Sequence, residues 1–310
     1  MESVFIIAEA GVNHNGDRDV AFQMVEAAAG AGVDAVKFQT FNTKNLVTMT
    51  APKAAYQSET TDPRESQFEM LQKLELDKDT HRALKQYTEQ NGLQFLSTAF
   101  DLESLAFLSN DLKLEILKIP SGEVTNGPLL LEYAKTGREL ILSTGMATLD
   151  EIRQALAVLA FGLIGGKTPS INAFLKAYES EEGQIALRDR VILLHCTTQY
   201  PAPLESINLR AMATLRDTFH LRVGYSDHSE GILVPCTATA LGAVSIEKHF
   251  TLDKNLEGTD HILSADPAEL AEICQASRRV SVMLGESGKR PGADELTNRD
   301  AARGLFVEGT

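Results

Sequence analysis

Short apolar runs recur along the chain and alternate with amphipathic stretches of helical periodicity. Each run has the length and the β-branched content of a buried strand. The eight runs are FIIAEA from Phe5, AVKFQT from Ala35, QFLSTAF from Gln94, EILKIPS from Glu115, ELILSTG from Glu139, VILLHCT from Val191, LRVGYSD from Leu221 and VSIEKHF from Val244. Eight strand–helix units within about 250 residues predict the α/β class and a parallel sheet closed into a (β/α)8 TIM barrel. An open doubly wound sheet is the alternative, because periodicity alone does not establish closure.

Local signals mark the ends of several helices. The segment Thr148-x-x-Glu151 has the spacing of a capping box, and Asp266-Pro267 places proline at a first helical position. Asp79 is the predicted start of a helix that ends at Gly92.

Two connections are longer than the roughly 2 to 6 residues of ordinary barrel loops. The first, 41–77, lies at the predicted mouth and either closes over a substrate or decorates the surface with a short extra helix. The second, 161–189, predicts a helical hairpin inserted between units five and six. After Leu284 the sequence turns polar and glycine-rich. We therefore predict a barrel domain over residues 1–285 and a linker or tail over residues 286–310.

Charge and composition narrow the partners. The chain has 310 residues, with 29 Lys and Arg against 43 Asp and Glu, so its formal net charge is −14. An acidic surface repels polyphosphate backbones and anionic lipids, so neither nucleic acid nor membrane is an expected partner. No apolar run approaches the roughly 18 residues that span a bilayer, and the N-terminus lacks the pattern of a secretory signal. Cys196, Cys236 and Cys274 lack metal or redox spacing, which favours a reducing, cytoplasmic location.

Polar side chains follow the apolar runs where each predicted strand ends. The carboxyl ends of all barrel strands meet at one mouth, where the catalytic groups of this fold lie. A lone buried ion is costly, so charged groups that converge there are expected to be mutual partners around a polar pocket. The set is Glu9, Lys37, Gln39, Ser97, Thr98, Lys118, Ser121, Glu123, Ser143, His195, Ser226, His228, Glu247 and His249. Lys248 alternates away from Glu247 and His249 and is expected outside the barrel.

Part of this set suits a small substrate that carries phosphate and carboxylate groups. Lys37 and Lys118 supply positive charge, and nearby hydroxyls supply hydrogen-bond donors. The hydroxyls belong to Ser97, Thr98, Ser121, Ser143 and Ser226. Gly122 and Gly145 would let backbone N–H groups approach an oxyanion closely.

The remaining members are candidates for metal binding and acid–base work. His228 and His249 end consecutive strands. They either share a cation with open positions for water and substrate, or form separate hydrogen bonds in the mouth. Glu9, Glu123 and Glu247 supply carboxylates for proton transfer.

Eight motifs resemble those of the sialic acid synthases, a family that includes N-acetylneuraminate, legionaminate and pseudaminate synthases. In order they are IIAEAGVNHNG, VKFQT, FLSTAF, LKIPSGE, ILSTGM, LLHCTTQYPAP, GYSDH and IEKHF, and they extend from Ile6 to about Ser264. The resemblance implies a (β/α)8 barrel, in agreement with the apolar pattern. It also implies a reaction in which phosphoenolpyruvate condenses with the open-chain aldehyde of an N-acetylmannosamine-type sugar, releases phosphate and gives a nine-carbon 2-keto sugar acid.

Carried over motif by motif, the resemblance implies distinct subsites. Lys37 and Thr98 would contact the phosphoenolpyruvate carboxylate. The contacts to its phosphate would be Lys118, Ser121, Ser143 and Ser226. The contacts to the sugar would be Gln39, Glu123, Tyr200 and Asp260.

The resemblance further implies a metal-assisted mechanism. His228 and His249 would hold a divalent ion, Mn²⁺ or Mg²⁺, that polarises the sugar aldehyde, although imidazoles alone would also suit zinc. Glu9 and Glu247 would lie beside the reacting centre and the metal. The enol carbon would attack the carbonyl, and a water would reach the former enol carbon before phosphate leaves.

Two departures from the family pattern affect the expectations. Thr198 stands where some members have asparagine, a variant typical of bacterial legionaminate-type enzymes, so both N-acetylmannosamine and 2,4-diacetamido-2,4,6-trideoxymannose stay candidate substrates. The family implies a homodimer in which an arginine of a C-terminal antifreeze-like (SAF) domain reaches the partner's site. We expect the 286–310 tail to lead toward that domain, which is absent here, and Arg303 lies too early to take the arginine's role.

Two other functions compete with the synthase. A Schiff-base aldolase would use Lys37 or Lys118 as the imine-forming amine. A non-catalytic barrel would bind a sugar phosphate without turnover. The full set of matching strand-end residues favours the metal-dependent synthase over both.

Overall fold

The computed structural model describes residues 3–53, 57, 61, 62 and 64–303, and in this part the chain forms a closed barrel of eight parallel strands. The strands follow chain order around the barrel, and β8 pairs with β1. Their bounds are β1 Phe5–Gly11, β2 Ala35–Thr40, β3 Gln94–Ala99, β4 Ile116–Ile119, β5 Glu139–Ser143, β6 Val191–Cys196, β7 Arg222–Asp227 and β8 Ser245–His249. The predicted α/β barrel is confirmed, and its closure excludes the open sheet.

Helices lie between and around the strands. Their bounds are α1 Arg18–Ala31, α2 Thr43–Leu46, α3 Gln67–Lys73, α4 Lys78–Gln90, α5 Leu102–Ala106, α6 Gly127–Lys135, α7 Leu149–Leu163, α8 Ile171–Glu179, α9 Glu181–Arg190, α10 Leu204–Ile207, α11 Ala211–Phe219, α12 Leu233–Ala240, α13 Pro267–Leu284, α14 Ala293–Leu296 and α15 Arg299–Ala302. A π-helical turn covers Phe107–Asp111, and 3₁₀ turns cover Ser121–Glu123 and His261–Leu263. The α8–α9 pair is the helical hairpin expected between units five and six.

An apolar layer fills the inside of the barrel below its mouth. The layer consists of Ile7, Ala35, Leu96, Ile141, Ile192 and Leu194, all buried. Side chains of a strand alternate between its two faces, so the residues two positions further along point inward as well, one level higher. Four of the predicted site residues, Glu9, Lys37, Thr98 and Ser143, stand at that level. Below the layer, at the opposite end of the barrel, a separate cavity of about 610 Å³ is lined by residues that include Phe5, Ile116 and Val244.

The ends of the helices agree with the sequence signals in two cases and differ in one. Both halves of the Thr148–Glu151 capping box form, and Asp266 caps α13 ahead of Pro267. The prediction that Asp79 starts α4 is wrong. Asp77 is the N-cap, because its side chain accepts a hydrogen bond from the backbone N–H of Thr80.

The 41–77 connection contains α2 and α3 and lies over one side of the mouth. In it, the carboxylate of Glu65 pairs with both Lys53 and Lys73, which ties its two halves together. Residues 54–56, 58–60 and 63, which include part of the APKAAYQ segment, lie outside the described residues.

Beyond α13 the described chain is polar and exposed. The division into residues 1–285 and 286–310 stays a prediction, and residues 304–310 lie outside the described part. Within the described residues, no helix is both long enough and apolar enough to cross a bilayer.

Candidate active site

A cavity of about 1050 Å³ opens at the carboxyl ends of the strands. The structure brings thirteen of the fourteen residues assigned to substrate, metal or catalysis to its walls. They are Glu9, Lys37, Gln39, Thr98, Lys118, Ser121, Ser143, Tyr200, Ser226, His228, Glu247, His249 and Asp260. Glu123 does not line it.

The floor of the cavity is an ion cluster built on Glu247. One carboxylate oxygen of Glu247 accepts from the Lys118 ammonium at 2.9 Å and from the Ser226 hydroxyl at 2.9 Å. Its other oxygen lies 3.6 Å from the Lys37 ammonium. Glu247 therefore shares its charge between two lysines.

Lys37 links this carboxylate to a second one. Its ammonium forms a close ion pair with Glu9 and donates to the Thr98 hydroxyl at 3.1 Å. The Gln39 amide donates weakly to the other oxygen of Glu9 at 3.4 Å. The side chains of Lys37 and Glu9 are each only 3% exposed, so little solvent screens the pair.

Burial and charge separate the acidities of the two carboxylates. Burial raises the pKa of Glu9 to about 7, against the lowering effect of Lys37. Burial would also raise the pKa of Glu247, but the charges of Lys118 and Lys37 hold it well below its ordinary value. Burial would lower the pKa of Lys37, yet Glu247 and Glu9 raise it overall. Near neutral pH, Glu247 is a fixed anion and Glu9 is the carboxyl that can exchange a proton.

Hydroxyl groups line the side of the floor next to β4 and β5. The backbone N–H of Gly145 donates to the Ser121 hydroxyl at 2.9 Å, and the Cys196 sulfur lies 3.2 Å from the same hydroxyl. The buried hydroxyl of Ser143 has no hydrogen-bond partner in the part of the chain that the structure describes. This region offers donors that an anionic ligand would satisfy.

Glycine is required at one of the two positions singled out in the sequence. A Cβ atom on Gly145 would lie 2.2 Å from the Thr198 hydroxyl and 2.9 Å from the Cys196 sulfur. A Cβ atom on Gly122 would have no heavy atom within 4 Å. Close approach therefore constrains Gly145 and not Gly122.

The two histidines face each other across the mouth. Their ring centroids lie 5.5 Å apart, and the Tyr200 ring lies 4.3 Å from that of His228. The Nδ1 atom of His228 is bonded to the carbonyl of Thr197 at 2.7 Å, which leaves Nε2 available. The Nδ1 atom of His249 is buried without a hydrogen-bond partner among the described residues, and Asp260 lies 3.8 Å from it.

These imidazoles fit a divalent cation as part of an open site. Burial lowers the pKa of both His228 and His249, so each ring is held neutral, the form that binds metals. Among the described residues, no three or more His, Cys, Asp or Glu side chains form a ready-made cation site. Further ligands would have to come from substrate or water, as in a catalytic site with open positions. Burial also raises the pKa of Asp260 to about 6.

The outer wall of the cavity is largely apolar, which the sequence reasoning did not foresee. The wall comes from the 41–77 connection, and its apolar residues are Phe41, Leu46, Val47, Met70, Leu71 and Leu74. Gln57 and Gln67 of the same connection also line the cavity. Spacing could not indicate it, because a long connection carries no strand register.

Three residues of the strand-end set do not serve the cavity as grouped. The carboxylate of Glu123 accepts from the Asn126 side chain at 2.6 Å, away from the cavity. Ser97 was grouped with the anion-binding hydroxyls, but it bonds to Thr40 at 2.7 Å and points away from the barrel interior. His195 bonds to the carbonyl of Ile207 at 2.8 Å and does not line the cavity.

Lys248 lies on the outward face of β8, as expected. Its partner was not predicted: the ammonium pairs with Asp227 at 2.8 Å, and both side chains are fully buried. Cys196 was also missed as a site residue, although it stands two positions after the inward-facing Leu194.

A closed parallel barrel with a charged mouth at its carboxyl ends defines an α/β-barrel protein of the enzyme type. Its relatives define the class as a synthase. The N,N'-diacetyllegionaminic acid synthase of Campylobacter jejuni is 47% identical over 307 residues, which is 99% of this chain and 85% of that protein. The corresponding synthase of Legionella pneumophila is 45% identical, over 96% of this chain and 78% of that protein.

A solved structure agrees with these relatives. The N-acetylneuraminic acid synthetase of Leptospira borgpetersenii, in complex with citrate, superposes with a TM-score of 0.78 at 33% identity and covers 99% of this chain and 94% of its own. The profile of the NeuB family matches residues 24–289. The chain belongs to the NeuB family, so the resemblance stated from the motifs is confirmed.

Proposed function

We propose that the chain condenses phosphoenolpyruvate with the open-chain aldehyde of 2,4-diacetamido-2,4,6-trideoxymannose, releasing phosphate and forming a legionaminic acid. The observation that carries the proposal is the ion cluster of Lys37, Lys118, Glu9 and Glu247 at the floor of one cavity, below a pair of neutral histidines. The two legionaminic acid synthases at 47% and 45% identity support the product class.

The apolar outer wall supports the choice of sugar. The trideoxy sugar has a methyl group where N-acetylmannosamine has a hydroxymethyl group, and an acetamido group where it has a 4-hydroxyl. The apolar side chains of this wall, such as Leu46, Met70 and Leu71, offer no partner for an extra hydroxyl, whereas the amides of Gln57 and Gln67 beside them would offer one. Burying that hydroxyl against the apolar side chains without a hydrogen bond would cost about 1–3 kcal/mol. We place the methyl group of the sugar against the apolar side chains, which makes N-acetylmannosamine the weaker candidate.

The floor suits phosphoenolpyruvate. We assign its carboxylate to Lys37 and Thr98, and its phosphate to Lys118 with three hydroxyls. These hydroxyls belong to Ser121, Ser143 and Ser226, of which Ser143 is unpartnered among the described residues. An anion placed here would complete the hydrogen bonding of the floor and interact with both lysine ammonium groups.

The two floor carboxylates take different parts in the chemistry. Glu247 stays ionised, anchors Lys118 and Ser226, and so fixes the donors around the phosphate. Glu9, whose pKa lies near neutrality, is the group that accepts and returns a proton when water adds to the former enol carbon. Gln39, Tyr200 and Asp260 border the space left for the sugar.

We propose that His228 and His249 hold a divalent ion, Mn²⁺ or Mg²⁺. When bound, such an ion would supply Lewis-acid polarisation of the sugar aldehyde. The neutral imidazoles, the unpartnered Nδ1 atom of His249 and the nearby Asp260 carboxylate support this assignment. A homodimer, which the family resemblance implies, and a cytoplasmic location, which the cysteine pattern favours, complete the proposal.

The Schiff-base alternative fits the floor less well. An imine-forming lysine needs a depressed pKa, whereas the pKa of Lys37 is raised and its ammonium is held by Glu9 and Thr98. Borohydride trapping with a keto acid tests the point, because a covalent adduct on Lys37 or Lys118 would overturn the metal-dependent route.

The deciding experiment measures phosphate release from phosphoenolpyruvate. The assay is run with and without Mn²⁺, with the trideoxy sugar and N-acetylmannosamine offered separately. We expect release that requires both Mn²⁺ and the trideoxy sugar. Equal rates without metal would refute the cation's role, and preference for N-acetylmannosamine would refute the sugar assignment. Thermal stabilisation by phosphoenolpyruvate without any turnover would instead favour a non-catalytic barrel.

A further inference from the structure

An ion pair lies fully buried between the barrel wall and its outer helices. Asp227, the last residue of β7, and Lys248 of β8 are partners in the sheet register. Their charged groups are 2.8 Å apart, and both side chains are 0% exposed. In the part of the chain that the structure describes, the hydrogen bonds of these two side chains go to each other and to Ser229, and none goes to the ion cluster of the floor.

The same ammonium also holds the turn that follows β7. Lys248 donates to the Asp227 carboxylate and, in a very short bond, to the backbone carbonyl of Ser229. The other oxygen of Asp227 accepts from the N–H of Ser229 at 3.0 Å and from its hydroxyl at 2.7 Å. The residue enclosed by this turn is His228.

The position of the pair relates it to both histidines. Lys248 donates hydrogen bonds to Asp227 and Ser229, and His228 lies between these two residues in sequence. His249 directly follows Lys248. One ammonium thus fixes the backbone on both sides of His228 to the strand that carries His249. The two imidazoles that this link connects lie 5.5 Å apart between ring centroids.

Stability alone does not explain a charge pair at this place. Desolvation of two buried ions offsets much of their attraction, and apolar side chains of similar volume are often equally stabilising. A buried pair does, however, accept one arrangement only, since any displacement leaves a charge without its partner. Such rigidity suits groups that have to be held in a fixed geometry.

We propose that Asp227 and Lys248 are positioning residues that hold His228 and His249 at the spacing of a divalent-cation site. The inference rests on the metal-binding part of the proposed function. In this inference Asp227 and Lys248, the sequence neighbours of the two histidines, orient the metal ligands and do not bind substrate.

The test uses a variant in which the pair is replaced by apolar groups of similar shape, Asp227→Leu with Lys248→Met. Mn²⁺ alone is titrated into the protein, and free Mn²⁺ is followed by electron paramagnetic resonance. We expect cooperative unfolding to persist and Mn²⁺ affinity to fall 10- to 100-fold, the usual effect of removing groups that orient metal ligands. Phosphoenolpyruvate binding, followed as a shift in Tm without metal, should stay as in the wild type.

The matched control removes an ion pair from the opposite end of the barrel. Arg222 and Glu139 join β7 to β5 at 3.0 Å and lie far from the mouth. Arg222→Met with Glu139→Gln should leave Mn²⁺ affinity unchanged. If the Asp227/Lys248 double variant does not fold, Ser229→Ala removes a single bond of the same turn, and we expect it to weaken Mn²⁺ binding two- to fivefold.

A second readout separates this inference from the proposed metal role. Diethyl pyrocarbonate modifies accessible imidazoles, and mass spectrometry locates the modified ring. Loosening of the turn should raise the modification rate of His228 and His249 several-fold, whether or not they bind metal. Absence of Mn²⁺ binding in the wild type would refute the metal role only. Wild-type Mn²⁺ affinity together with wild-type modification rates in the folded variant would overturn the positioning role.

Discussion

Replacement of Glu247 by glutamine tests the charge balance at the floor of the cavity. The carboxylate accepts from Lys118 at 2.9 Å and lies 3.6 Å from Lys37. Glutamine keeps the shape and can still accept from Ser226, but it removes the negative charge. Lys118 then stays buried without a counter-ion, whereas Lys37 keeps its pair with Glu9.

The size of the effect follows from the burial of the pair. At 2.9 Å and an effective dielectric constant of 20, the gross attraction is roughly 6 kcal/mol. Desolvation offsets part of it, and removal of one partner of a buried pair typically costs about 3–5 kcal/mol. The Lys118 and Glu247 side chains are 5% and 6% exposed, so solvent screens little of this loss. At about 2 °C per kcal/mol for a domain of this size, Tm should fall by roughly 6–10 °C.

Differential scanning calorimetry without ligand measures this change. The control is Glu272→Gln on the exposed face of α13, which should shift Tm by less than about 1 °C. Phosphoenolpyruvate should then raise the Tm of Glu247→Gln more than that of the wild type, because an anion restores the missing charge. A Tm unchanged by the substitution, with equal stabilisation of both proteins by phosphoenolpyruvate, would refute this account of the floor.

Three further substitutions probe other parts of the structure. Gly145→Ala would place a Cβ atom 2.2 Å from the Thr198 hydroxyl, a steric clash that has to displace neighbouring side chains. We expect the apparent KM for phosphoenolpyruvate to rise at least tenfold. An unchanged KM in steady-state kinetics would contradict the clash. Burial lowers the pKa of His14 from 6.5 to about 4, so the unfolded chain binds the proton first and the free energy of unfolding decreases as pH falls from 6.5 to 4. Over that pH range the His14→Gln variant should lose about 3 kcal/mol less than the wild type in urea titrations. An identical pH dependence of the two proteins would exclude the effect. Asp77→Ala should lower the free energy of unfolding by about 1 kcal/mol because it removes the N-cap of α4, whereas Asp79→Ala should lower it by less than about 0.5 kcal/mol. Urea unfolding measures both values, and the reverse order would make Asp79 the cap.

The barrel and the inward side of each strand could be predicted because a buried strand has a period of two. Once Val36 is buried against the helices, Lys37 has to face the barrel interior, and the same reasoning places Glu247. The closed topology then brings residues that are distant in sequence to one mouth. Lys37 and Glu247 are an example, since they stand on β2 and β8.

The predictions that were wrong or incomplete fall where this period ends. Glu123 lies in a 3₁₀ turn, where successive side chains rotate by about 120°, so its distance from Lys118 no longer indicates its direction. Asp77 and Asp79 are equally good caps by composition, and only the backbone at Asp77 decides between them. The Asp227–Lys248 pair is an exception, since both residues lie within strands; it was missed because the reasoning sought partners only for the side chains that point into the cavity.

The apolar layer beneath the floor has a consequence for the order of events. Among the residues that the structure describes, Ile7, Leu96, Ile141 and Leu194 close the barrel below the charged groups, so ligands reach the floor from the mouth. A ligand bound to the lysines cannot leave once a larger molecule occupies the space above it. We therefore expect compulsory-order kinetics, with phosphoenolpyruvate entering before the sugar and phosphate leaving after the sugar acid. Product-inhibition patterns would reveal this order of binding and release. Random binding of the two substrates would mean that the barrel has a second access route to the floor.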